Sequence, residues 1–130
     1  LQTEPENPYA IFGMADALRG QGRFAEAAPY WEAILKRDRQ NKQVLTRAGD
    51  CFFRLGRLPQ AEALFREALQ AGFDKSALLG LSRVCAQQGN FAEARLHLER
   101  ILERQPKDGR TLALLAQTLI EAKSPEQKPS

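Results

Sequence analysis

The sequence is short of the residues that do chemistry. Among 130 residues there is one histidine, one methionine, one tryptophan, two tyrosines and two cysteines. A single His97 excludes a His-rich metal centre, and no nucleophile–base pair can be built around it. Cys51 and Cys85 make no disulfide framework and have no metal-ligand spacing. Each falls inside an apolar helical pattern and is expected as a small buried hydrophobe. Apolar runs stop after a few residues, far short of the ~20 that span a bilayer. No glycine-rich phosphate loop follows a strand, because no stretch alternates as a strand does. The charge surplus is also small: 19 Lys+Arg against 16 Asp+Glu give +3, spread along the chain. A nucleic-acid footprint would instead gather on one face.

With 43% hydrophobic and 27% charged residues, the composition is that of a single folded domain rather than a disordered chain. The opening Leu1-Gln2 lacks an initiator Met and is expected to mark a processed protein or an excised fragment.

A phrase occurs three times: Gly22-Arg23-Phe24-Ala25-Glu26-Ala27, Gly56-Arg57-Leu58-Pro59-Gln60-Ala61 and Gly89-Asn90-Phe91-Ala92-Glu93-Ala94. Its glycines are 56 − 22 = 34 and 89 − 56 = 33 residues apart. A period of this size marks stacked supersecondary units, none of which can bury its apolar face alone. A second column is independent of the first. Asn7, Asn41, Asp74 and Asp108 stand 34, 33 and 34 apart and suit helix N-caps, with Pro8 in the first turn. The fourth of them predicts a further helix after the third unit.

Within each unit apolar residues return every three or four positions, as in an amphipathic helix. The first helices carry Ile11, Met14, Ala15 and Leu18; Leu45, Ala48, Gly49 and Phe52; and Leu78, Leu81, Ser82 and Cys85. The second helices carry Ala27, Trp31, Ile34 and Leu35; Ala61, Phe65, Ala68 and Leu69; and Ala94, Leu98, Ile101 and Leu102. The glycine between them suits a helix end with positive φ. Small residues Ala15, Gly49 and Ser82 are expected close to Ala27, Ala61 and Ala94, where added volume would force the helices apart. Pro29, more than one turn into its helix, is expected to distort it.

These residues resemble the tetratricopeptide-repeat (TPR) pattern Trp-x2-Leu-Gly-x2-Tyr…Ala-x3-Phe…Pro. Leu45-x2-Ala48-Gly49-x2-Phe52…Ala61-x3-Phe65 and Ala27-x3-Trp31 carry the likeness, which covers about residues 8 to 122. The closing proline survives only as Pro106, with Arg39 and Phe73 in its place earlier, and the third unit has Cys85 and Leu98 where aromatics are usual. The resemblance implies an all-α, right-handed α-solenoid of seven helices. Its units are TPR 1 (8–41), TPR 2 (42–74), TPR 3 (75–108) and a capping helix (109–122), flanked by a polar segment (1–7) and a disordered tail (123–130). The capping helix is expected to turn Leu112, Leu115, Ala116 and Leu119 inward. Leu114 and Ile120 fall off that stripe and form a possible oligomer face.

TPR first helices line a concave groove that takes peptides or partner helices. By repeat position that surface should carry Tyr9, Phe12, Asp16, Arg47, Asp50, Phe53, Leu79 and Arg83, with Gly13 and Gly80 letting a partner backbone approach. Phe12, Phe53 and Leu79 are large, apolar and off the core stripe, as binding anchors often are. Family members that hold the acidic carboxy-terminus of heat-shock chaperones use Lys, Asn, Asn, Lys and Arg on these helices. Phe12, Asp16, Arg47, Ser76 and Gly80 stand there instead, and Asp16 would repel a carboxylate, so that ligand class is disfavoured.

The sequence therefore points to a non-catalytic protein–protein interaction or scaffold module that binds a peptide or helix, with no cofactor, no metal and no nucleic acid. The alternatives are self-assembly through the apolar last helix and a secretion-type TPR chaperone, which the chain resembles in length and repeat number. The Arg-rich, Ala/Leu-rich style and compact repeats suggest a bacterial source; the compartment stays open between cytoplasm and periplasm, as does a place within a larger, anchored protein.

Overall fold

The computed structural model describes residues 7–123. The expectations of a polar leader and a disordered tail fall almost wholly outside them. Seven α-helices and no strand occur among the described residues: α1 (Pro8–Gly20), α2 (Phe24–Arg37), α3 (Lys42–Arg54), α4 (Leu58–Leu69), α5 (Lys75–Gln87), α6 (Phe91–Arg104) and α7 (Gly109–Ala122).

The two sequence columns set the helix ends. The side chain of Asn7 accepts from Tyr9 N at 2.7 Å, Asn41 from Gln43 N at 2.9 Å, Asp74 from Ala77 N at 2.9 Å and Asp108 from Thr111 N at 3.0 Å. Each side-chain oxygen satisfies an amide that the first turn leaves without a partner. The turns after α1, α3 and α5 are copies of one another. Gly22, Gly56 and Gly89 have φ of 77°, 79° and 79°. The amide that follows each reaches back five residues: Arg23 to Leu18 O (2.9 Å), Arg57 to Phe52 O (2.9 Å) and Asn90 to Cys85 O (2.8 Å). Only glycine takes that backbone geometry without strain. Helix α2 runs on through Pro29, which is exposed.

The helices form two compact units, Leu1–Ala71 and Gly72–Ser130. In the first, α1 packs on α2, α2 on α3 and α3 on α4. Its core holds Trp31 and Phe52 with no exposed surface and Phe65 at 2%, among Ala15, Ala27, Ala48 and Ala61. In the second, α5 packs on α6 and α6 on α7, around Leu78, Leu81, Val84, Leu98 and Ile101.

Helix α7 departs from expectation. Its buried residues are Thr111 and Thr118, whereas Leu112 and Leu119 are 44% and 38% exposed, Ala116 is exposed and Leu115 is half-buried. The reason lies in the register. Counted from the N-cap, Thr111 and Thr118 match Val44 and Cys51, and Cys51 Sγ reaches back to Phe24 O at 3.3 Å on the preceding helix. Leu112, Leu115, Ala116 and Leu119 match Leu45, Ala48, Gly49 and Phe52, which face the second helix of their own unit. A first helix thus has two apolar faces, and among the described residues α6 is the one helix packed on α7, covering one of them. At α1 the positions that match Val44 and Cys51 are Ala10 and Ala17, and both are exposed, with no helix against them among the described residues.

Candidate functional site

The face shared by α1 and α3 is a ladder of alternating charge. Asp16 and Asp50 hold the same position in successive repeats, 34 residues apart. Arg47 on α3 reaches back to Asp16 at 2.6 Å, and Arg19 on α1 reaches forward to Asp50 at 3.0 Å. Arg19 also holds Asp16 at 3.0 Å, and Arg54 closes on Asp50 at 3.5 Å. All but Arg54 are half-buried. Burial by itself would lower the Arg19 pKa, but hydrogen bonds from its guanidinium to Asp16 and Asp50 outweigh that and raise it. Arg19 therefore stays charged between its two carboxylates.

Aromatic rings border the ladder at both ends. The Arg47 guanidinium lies 5.6 Å from the centre of the Phe12 ring, and that of Arg54 lies 5.6 Å from Phe24. Phe12 meets buried Trp31 edge to face, with ring centroids 5.5 Å apart at 85°. Phe53 is half-buried on α3 and Tyr9 is 87% exposed at the start of α1. Tyr9 and Phe12 border a hollow of about 150 Å³ with Ile34, Arg37 and Val44. A larger hollow of about 460 Å³ lies against α1 and α2, lined by Met14, Leu18, Tyr30 and others, and contains none of the expected groove residues.

The structure thus brings Phe12, Asp16, Arg47 and Asp50 together in the first unit. The sequence reading missed Arg19, the residue that ties the two aspartates. The signal was available as an aspartate column with arginines three residues to either side, at Arg19 and Arg47. In the second unit Arg83 is half-buried and holds, by repeat position in the sequence, the place of Asp16 and Asp50 with the opposite sign. Leu79 is a correction: it is 7% exposed and part of the core, and Gly80 beside it is buried too. On α7, Ile120 is 59% exposed, while Leu114 is half-buried and its carbonyl accepts from the Thr118 hydroxyl at 2.8 Å. His97 is buried, with Nε2 3.7 Å from Glu93 Oε2.

Models of one family, described as tetratricopeptide repeat, match residues 12–74 and 75–118. The chain belongs to the TPR family. A TPR repeat-containing protein of Treponema pallidum is 29% identical over 94 residues, which cover 72% of this chain but 12% of that protein. The first TPR domain of human RPAP3 superposes with a TM-score of 0.82 at 20% identity, covering 97% of this chain and all of that one. The Yersinia enterocolitica type III secretion chaperone SycD, solved with a peptide of the translocator YopD, gives 0.74 at 14% identity and covers 95% of both chains. At these identities the likeness establishes a TPR fold built of helix pairs. No helix among the described residues is long and apolar enough to cross a membrane.

Proposed function

We propose that this TPR domain is a non-catalytic interaction module. Its units are 8–41, 42–74 and 75–108 with 109–122 as a cap, and it holds a mixed-charge peptide or helix against the α1/α3 face. The observation that carries this is the ladder itself: half-buried Asp16, Arg19, Arg47 and Asp50 with Phe12 beside them and Phe53 on the same helix as Arg47. A segment bearing both charges can exchange into such a ladder one pair at a time, while Phe12 and Phe53 supply apolar anchorage. A purely acidic carboxy-terminus would meet Asp16 and Asp50. The peptide bound by SycD gives the same fold a precedent for this use.

Phe53→Ala tests it. Binding to an array of mixed-charge peptides is expected to fall at least tenfold with little change in thermal midpoint. Unfolding of the variant would make Phe53 a core residue and remove it from the interface. Phe12→Ala is the less clean variant, because it also strips the edge contact from Trp31.

A second reading has its own support. Leu112 and Leu119 are exposed on α7 in the register by which earlier first helices meet a second helix, and exposed Ile120, in the register of Phe53, widens the apolar strip. Self-association through that strip predicts a concentration-dependent mass in sedimentation equilibrium. Ile120→Glu would abolish it, and Ile120 is the better choice than the half-buried Leu114.

A further inference from the structure

Three positions of the third repeat meet in space, and two of them differ from both other repeats. Counting from the turn glycine, Cys85 stands where Leu18 and Phe52 stand, Glu93 where Glu26 and Gln60 stand, and His97 where Tyr30 and Leu64 stand. Only this repeat puts a sulfur, a carboxylate and an imidazole at all three. One ligand atom from each of Cys85, Glu93 and His97 lies within 4.8 Å of the others. We propose that these side chains form a site for a single zinc ion, clamping α5 to α6.

The chemistry suits the ion. Thiolate, imidazole and carboxylate are the donor types that zinc takes, whereas magnesium and calcium need oxygen cages. Ligands ~2.0–2.3 Å from a tetrahedral ion stand roughly 3.3–3.6 Å apart, so closure needs side-chain adjustments of about an ångström. Glu93 and His97 are one helical turn apart on α6, with Nε2 and Oε2 already at 3.7 Å. Cys85 comes from the last turn of α5, directly across the tight turn at Gly89. Asn90 Nδ2 donates to the other Glu93 oxygen at 3.2 Å and so fixes the carboxylate with Oε2 toward the imidazole, as outer ligands do in metal sites. Cys85 and His97 are 4% and 7% exposed, while the Glu93 side chain is 39% exposed and offers the ion a way in. Three protein donors leave a fourth position for water. On binding, the thiol proton leaves to solvent as the sulfur becomes a thiolate, with no change of oxidation state.

The ligands lie within thirteen residues of one another but on two helices, and the eight-residue step from Cys85 to Glu93 matches no familiar metal-binding motif. Cys51 provides the internal control: its thiol donates to a backbone carbonyl and burial, with help from Asp50, pushes its pKa up to about 11.

The experiment is titration of the reduced full chain with cobalt(II), then displacement by zinc(II). One equivalent is expected to give tetrahedral cobalt bands and a thiolate-to-metal band in the near ultraviolet. The thiolate band should vanish in Cys85→Ser and persist in Cys51→Ser. Affinity should fall at least tenfold in Glu93→Gln and about tenfold in Asn90→Ala. Because Cys85→Ser or His97 variants can lose their fold, the wild type carries a second readout. Zinc should protect Cys85, and not Cys51, from alkylation mapped by mass spectrometry, and a chelator should reverse the protection. Absence of a thiolate band in the wild type, its survival in folded Cys85→Ser, or equal protection of both cysteines would each overturn the site.

Discussion

Arg47 on α3 holds Asp16 on α1 at 2.6 Å while its guanidinium lies over the Phe12 ring. One side chain thus links two helices through a charge and an aromatic face. The pair is only part-buried, with side chains 32% and 29% exposed, so solvent screens much of its attraction. A double-mutant cycle of Asp16→Ala and Arg47→Ala should give a coupling of about 0.2–1 kcal/mol in denaturant unfolding. A much larger value would make the ladder a stability element and weaken its role as an exchangeable surface.

Gly49 and Gly13 should respond to the same substitution with opposite signs. A Cβ at Gly49 would stand 2.7 Å from Phe65 Cε1, on a ring that is itself 2% exposed, whereas one at Gly13 meets nothing within 4 Å. Gly13→Ala should stabilise by up to about 1 kcal/mol through helix propensity. Gly49→Ala receives the same benefit but also about 1–3 kcal/mol of overpacking, so it should be net destabilising. Urea midpoints of the two variants check this, and a stabilised Gly49→Ala would refute the contact.

Acid should expose the Lys75–Asp108 pair. Hydrogen bonds from Lys75 Nζ at 2.8 Å and from Thr111 hold the Asp108 pKa down to about 2. The unfolded value is about 3.9, so the stabilisation is complete above that pH and is lost as pH falls toward about 2. Lys75→Met should therefore lower the urea midpoint at pH 7 and make little difference near pH 2. An equal gap at both would show that the pair is not what Lys75 contributes.

Cys51 should be a sluggish thiol. With a pKa near 11 it is almost wholly protonated at pH 8, and it is buried besides. In a Cys85→Ser background, reaction with a disulfide reagent should be far slower than for a free cysteine peptide and should speed up toward pH 11. Reaction at the peptide's rate would mean that the site opens readily.

By itself the sequence determined the local and repeating parts. A cap oxygen acts within three residues and a positive-φ glycine within five, so Asn7, Asn41, Asp74, Asp108 and the three turn glycines mark helix ends wherever the units sit. The 34-residue period then implied the stack, because equal units bury equal faces. What the tertiary structure decided depends on residues about thirty positions apart or on which neighbour a helix has. Arg19 between Asp16 and Asp50 needs α1 beside α3. Leu79, off the expected stripe, proved to lie on a buried side of α5. Helix α7 kept the same two-faced register as its predecessors, yet with α6 the one helix packed on it among the described residues, Thr111 and Thr118 went inside and Leu112 and Leu119 stayed out. Cys85 met His97 because the hairpin folds α5 onto α6. Side-chain periodicity says that a face is apolar; only packing says which face finds a partner.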